Sequence, residues 1–80
     1  MKTRNKILSQ ILIVAEEYDL EIIKINFTNI YNTMDKVEFT FKIEHNKFTI
    51  NFLYEKDNMN EVNSVASYIK YKLGDFLKEE

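Results

Sequence analysis

Three runs of two-residue alternation limit what this chain can fold into. Ile23, Ile25 and Phe27 alternate with Lys24, Asn26 and Thr28. Val37, Phe39, Phe41 and Ile43 alternate with Glu38, Thr40, Lys42 and Glu44; Phe48, Ile50, Phe52 and Tyr54 alternate with Thr49, Asn51 and Glu55. Successive side chains of a strand point to opposite faces, so each run describes a strand with one buried and one wet face. A turn is expected at Asn32 to Lys36. His45-Asn46 is expected as a two-residue hairpin turn, because Asn tolerates the positive φ such turns use. Short turns between such strands give an antiparallel meander.

On either side of these runs the period changes to that of a helix. From Thr3 to Tyr18, Ile7, Ile11, Val14 and Tyr18 share one stripe, widened by Leu8, Leu12 and Ala15 to about 160° at 100° per residue. Thr3 or Asn5 is the expected cap. After Asp57, the pair Asn58 and Glu61 has capping-box spacing. A second helix is expected from there to about Leu77, with Val62, Val65, Ala66, Ile69, Leu73, Phe76 and Leu77 within about 120°. The expected fold class is α+β in the order αβββα: a three-stranded antiparallel meander with two amphipathic helices packed on one face. It is expected to occupy residues 1–80 as a single domain, with Phe39, Phe41, Phe52, Ile50, Ile25, Ile69 and Leu73 at the centre of its core.

Composition removes several kinds of chemistry. No Cys is present, which excludes thiolate nucleophiles and thiolate zinc sites. The one glycine rules out a Gly-rich phosphate cradle. The one histidine, His45, falls in the expected hairpin tip, where polar residues are ordinary. Glu16 and Glu17 are adjacent, but consecutive helix positions point about 100° apart and cannot share a proton. No nucleophile, base and oxyanion donor can be assembled, so no catalytic residue, metal or cofactor is expected.

Eleven basic residues against 13 acidic leave a formal charge of −2, unlike the basic excess of phosphate-backbone binders. The longest apolar run, Ile11-Leu12-Ile13-Val14-Ala15, is far short of the ~20 residues of a membrane span. Glu16, Glu17 and Asp19 follow it where a signal-peptide cleavage site would lie, so the segment reads as a mature helix of a cytoplasmic protein. Ile, Asn and Lys make up 29 of the 80 residues and Gly, Ala and Pro only three, the bias of AT-rich codons. A low-GC bacterium, its phage or its mobile element is the expected source.

The αβββα order and the chain length resemble the double-stranded RNA-binding domain family, and that resemblance implies RNA binding as an alternative. Where the family carries a loop histidine, this chain has Asn32-Thr33-Met34-Asp35. Where it carries lysines at the start of its last helix, this chain has Asn58-Met59-Asn60-Glu61-Val62-Asn63.

The charges of the first helix run against its dipole. Lys2, Arg4 and Lys6 lie at the positive end, and Glu16, Glu17 and Asp19, followed by Glu21, at the negative end. These four acids are read as a candidate patch for a partner with a basic surface, or as solvated charge paired with lysines of the second helix. Tyr71 lies opposite that helix's apolar stripe and is the candidate hot-spot aromatic. Ile13 is a similar outlier, and Ile22, Ile30 and Leu53 are expected on the wet face of the sheet. Neither outer strand contains proline, which leaves the sheet edges, or the wet face, open to strand addition or a homodimer. The sequence therefore reads as a small non-enzymatic protein-binding module, such as a phage or mobile-element accessory protein that modulates or inhibits a host protein. A homodimeric regulatory subunit is the further alternative.

Overall fold

The computed structural model describes residues 2–78, with side chains from Thr3 to Phe76. The stripe position of Leu77 and the charges of Lys2 and Lys78 therefore fall outside the described side chains. The elements are α1 (Lys2–Glu17), β1 (Glu21–Asn29), β2 (Met34–Ile43), β3 (Asn46–Glu55), α2 (Met59–Val62) and α3 (Val65–Lys78). The strands form one antiparallel sheet in the order β1-β2-β3, the meander anticipated by the alternation.

The central strand β2 is buried at every second position, with Val37, Phe39 and Phe41 almost wholly enclosed. Ile50 and Tyr54 of β3, Ile7, Ile11 and Val14 of α1, Val62 of α2, and Val65, Ile69 and Leu73 of α3 complete the same core. Ile25 and Phe52, expected at its centre, are only half-buried and pack against the core from its rim. Leu12 and Tyr18 are exposed, so the buried stripe of α1 is narrower than its apolar pattern. Thr3 and Asn5 lie inside the first turn and do not cap it.

The expected details change in four places. The turn expected at Asn32 to Lys36 lies earlier, over residues 30–33, because Met34, Asp35 and Lys36 already pair in the sheet. In β1 the pairing passes from Ile22↔Phe41 directly to Lys24↔Thr40, leaving Ile23 as the extra residue of a β-bulge. The bulge turns Ile22 toward the core and leaves Ile23 44% exposed, the reverse of the simple alternation. The β2–β3 turn lies one residue earlier than expected. Ile43 pairs with Asn46, so Glu44-His45 is the loop, and Glu44 takes a φ of 56°.

The last expected helix is divided at Asn63 and Ser64. The cause is Gln10 on α1. Its Nε2 donates to the Val62 carbonyl (2.7 Å), and its Oε1 accepts from the Ala66 N–H (3.0 Å). In an unbroken helix these two backbone groups would bond to each other. A side-chain amide inserted between them separates α2 from α3. Asn58 caps α2 as expected, accepting from the amides of Asn60 and Glu61. Glu61 does not complete the box: its Oε2 accepts from the Glu55 N–H at the end of β3 (2.7 Å).

Candidate functional site

Glu16, Glu17, Asp19 and Glu21 are all exposed at the α1–β1 corner. Glu17 pairs with Lys70 of α3 (3.5 Å), which sets this corner beside the segment that carries Tyr71. Tyr71 is 66% exposed, and Ile13, Ile30 and Leu53 are exposed as well. Asp19 also has a local duty. Its φ of 57° and the bonds Leu20 N–H to Ala15 carbonyl (2.7 Å) and Asp19 N–H to Glu16 carbonyl (3.4 Å) form the Schellman end of α1.

Arg4 is not a misplaced charge. Its Nε donates to Asp35 Oδ2 (3.1 Å), and Asp35 is a buried carboxylate, 2% exposed. Asn29 Nδ2 donates to Oδ1 (2.9 Å), the Tyr54 hydroxyl to Oδ2 (3.4 Å), and Lys56 Nζ stands 3.6 Å away. This node ties α1 to all three strands. Burial opposes ionisation of Asp35, but the Asn29 amide, Arg4 and Lys56 together outweigh it and hold the carboxyl below its ordinary range. Burial, with the Asp35 charge behind it, pushes the Tyr54 phenol up to about 12. The sequence hid this node because Asp35 sits among turn-like residues; the visible signal was an arginine at the wrong end of a helix.

The two edges of the sheet are unlike. On β1 the bulge interrupts the regular row of backbone groups, and Glu21 and Lys24 add charge, both of which discourage pairing. On β3 the register is continuous from Glu55 to Asn46. From Thr49 to Leu53 it has no charge, no proline and no bulge. With a two-residue loop, Ile43 and Asn46 form a hydrogen-bonded pair, and bonded pairs then recur at every second position. Lys47, Thr49, Asn51 and Leu53 therefore turn their N–H and C=O groups away from β2. The Glu55 amide, next in that row, is taken by Glu61. Outside the strand ladder, no backbone bond among the described residues engages the amides of Thr49, Asn51 and Leu53.

Beside this row lies a groove of about 220 Å³ between β3 and α3, lined by Thr49, Ile50, Asn51, Tyr68, Lys72 and Phe76. Phe48 stacks on Phe76 (4.2 Å between ring centres), and Phe52 meets Tyr68 at a tilt of 52° (5.1 Å). Those contacts make α3 run antiparallel to β3. Four strand residues span about 13 Å and eight helix residues about 12 Å, so the two remain in step. The spacing sets the backbone of Lys72, midway between Tyr68 and Phe76, level with Ile50 in the shared groove, and its Nζ reaches back to 5.6 Å from the Tyr68 ring centre. Lys70 leans the other way, onto α1, and pairs with Glu17. Lys72 is in no ion pair among the described residues. The sequence pointed to the edge strand but not to this groove, although Tyr68, Lys72 and Phe76 recur at one-turn spacing along the flank of the stripe.

No cluster of His, Cys, Asp and Glu able to hold a metal ion occurs among the described residues. No helix among them is long and apolar enough to cross a membrane. No protein-family model, curated protein or solved structure matches this chain.

Proposed function

We propose that this chain is a protein-binding module without chemistry of its own, which takes an extended segment of its partner as a fourth strand on β3. The observation that carries this reading is the unguarded outward row of β3 beside a groove too small for most small-molecule ligands, which fill roughly 300–1,000 Å³. A groove of that size suits one or two side chains of a strand, while the row of amides supplies the main-chain bonds of strand addition. Capturing a segment denies it to other partners, which fits a small accessory protein of a phage or mobile element that inhibits a host protein. RNA binding of the double-stranded type is less favoured, because two cations near the expected contact loops, Arg4 and Lys56, are engaged with Asp35. The acidic corner with Tyr71 is the second reading, favoured by the Glu17–Lys70 pair that brings them alongside each other.

Asn51→Pro tests the first reading. It removes an outward N–H and leaves the β2–β3 ladder intact, a position where an edge strand accepts proline. A host protein captured by the wild-type chain should escape this variant while its melting temperature holds. Capture of the same protein by a folded Asn51→Pro chain refutes strand addition at β3. Loss of capture on Tyr71→Ala or Glu16→Gln, with Asn51→Pro still binding, supports the acidic corner.

A further inference from the structure

The position of Lys72 also says which strand the edge accepts. An added strand alternates its side chains between the wet face and the groove, so groove-facing residues recur every two positions, about 6.6 Å apart. Along α3, Tyr68, Lys72 and Phe76 recur every four residues, about 6 Å apart. The two rows match, and each groove-facing side chain of the newcomer meets one of these three in turn. The outer two are half-buried aromatics already packed on Phe52 and Phe48. The middle one is a cation held over an aromatic face, with no carboxylate partner among the described residues.

Resting on the strand-addition reading above, we infer that the occupant is an extended segment of another protein carrying an acidic residue with apolar residues two positions to either side. The carboxylate meets Lys72, and the apolar pair covers Tyr68 and Phe76. A second copy of this chain is the obvious competitor. Its outward residues pair most fully about a two-fold axis when the axis passes near Ile50 or Asn51, the centre of the row, where the odd-numbered amides of the two copies face each other. Lys72 stands level with Ile50, so both copies would bring Lys72 to the same axis on the same face. Like charges so placed oppose self-pairing, while the same charge attracts an acidic strand. Lys72 thus selects the partner and discourages the dimer.

The test is a displayed library of random extended peptides, selected in parallel on the wild-type chain and on Lys72→Glu, with amide spectra of each chain titrated with its enriched peptide. Wild-type selection should enrich an Asp or Glu flanked at two-residue spacing by apolar residues. That peptide should shift the amides of Thr49, Asn51 and Leu53 and bind Lys72→Glu about tenfold more weakly or worse. Selection on Lys72→Glu should enrich Lys or Arg at the same position. Light scattering without peptide should give a monomer. Peptides that shift the β3 amides without acidic preference overturn this inference and leave strand addition standing. Enriched peptides that leave those amides unmoved, or no enrichment at all, overturn both. A wild-type dimer whose β3 amides are already protected makes the second copy the occupant and overturns the role given to Lys72.

Discussion

Replacing Asp35 with Ala should cost this protein a large share of its stability, and the structure sets the size of the loss. A domain of this length has roughly 4–12 kcal/mol in total. Asp35→Ala removes the carboxylate acceptor of an ion-paired bond from Arg4, of a bond from the neutral Asn29 amide, and of a long one from the Tyr54 hydroxyl. These donors and the nearby Lys56 ammonium do not suffer alike; Asn29 is exposed and readily finds water. Arg4 and Lys56 side chains are each 36% exposed and can turn to water. Tyr54 is fully buried and cannot, so its hydroxyl bears a desolvation penalty of about 1–3 kcal/mol. Breaking a fully buried ion pair from one side costs about 3–5 kcal/mol, and the wet cations bring the expectation here to about 3. The pH dependence provides an independent check. Because folding lowers the pKa of Asp35, its contribution is present above the unfolded carboxyl's range and disappears as pH falls through the folded value. Urea unfolding of both proteins at pH 7 and across the acid range below about 4 should show the gap narrowing as pH falls. A gap under about 0.5 kcal/mol at pH 7, or one that is constant with pH, refutes the account of the node.

Tyr54 sets the opposite limb. Its phenol titrates near 10 when unfolded and at about 12 when folded, so stability should fall between those values as pH rises, by about 2–3 kcal/mol in all. Tyr54→Phe should flatten that fall in alkaline urea melts. Phe41→Ala, at the most enclosed ring of β2, should cost about 3–5 kcal/mol, and calorimetry showing a melting point within a degree or two of wild type contradicts the burial. Gly74→Ala should stabilise by about 1 kcal/mol, since a Cβ there meets no atom within 4 Å and the residue lies inside α3. Thermal melts should show a rise of about 4–8 °C.

Sequence pattern reaches as far as the forces acting within each element. The strands, their order and the buried positions of β2 follow from alternation, because a half-buried strand requires it at short range. Ile22 and Ile23 show where such reasoning stops. Two neighbouring isoleucines satisfy either phase of the alternation, and the bulge chooses by packing against Phe41 of the next strand. The helix break and the Asp35 node were hidden for a different reason: Gln10 acts on backbone 52 and 56 positions away, and Arg4 on a carboxylate 31 away. Of the site, the exposed Tyr71 and the open edge were legible from periodicity. The groove was not, because it exists only once α3 lies in step with β3.

The wedge made by Gln10 has a consequence in time. Alone, the segment from Met59 to Lys78 keeps only the local turn in which the Ser64 N–H and hydroxyl donate to the Glu61 carbonyl, and an ordinary helical bond between the Val62 carbonyl and the Ala66 amide would compete with it. The break must be held open from outside the segment, by α1, at the loop-closure entropy of contacts 52 and 56 positions distant in sequence. The chain therefore either forms a straight final helix that bends when α1 arrives, or waits for α1 before completing that helix. Either route predicts that the meeting of the two helices comes late in folding and early in unfolding; an Ala66 amide that exchanges no faster than the amides of β2 refutes this. Hydrogen exchange at the Ala66 amide then acts as a clock for that meeting, read at one residue.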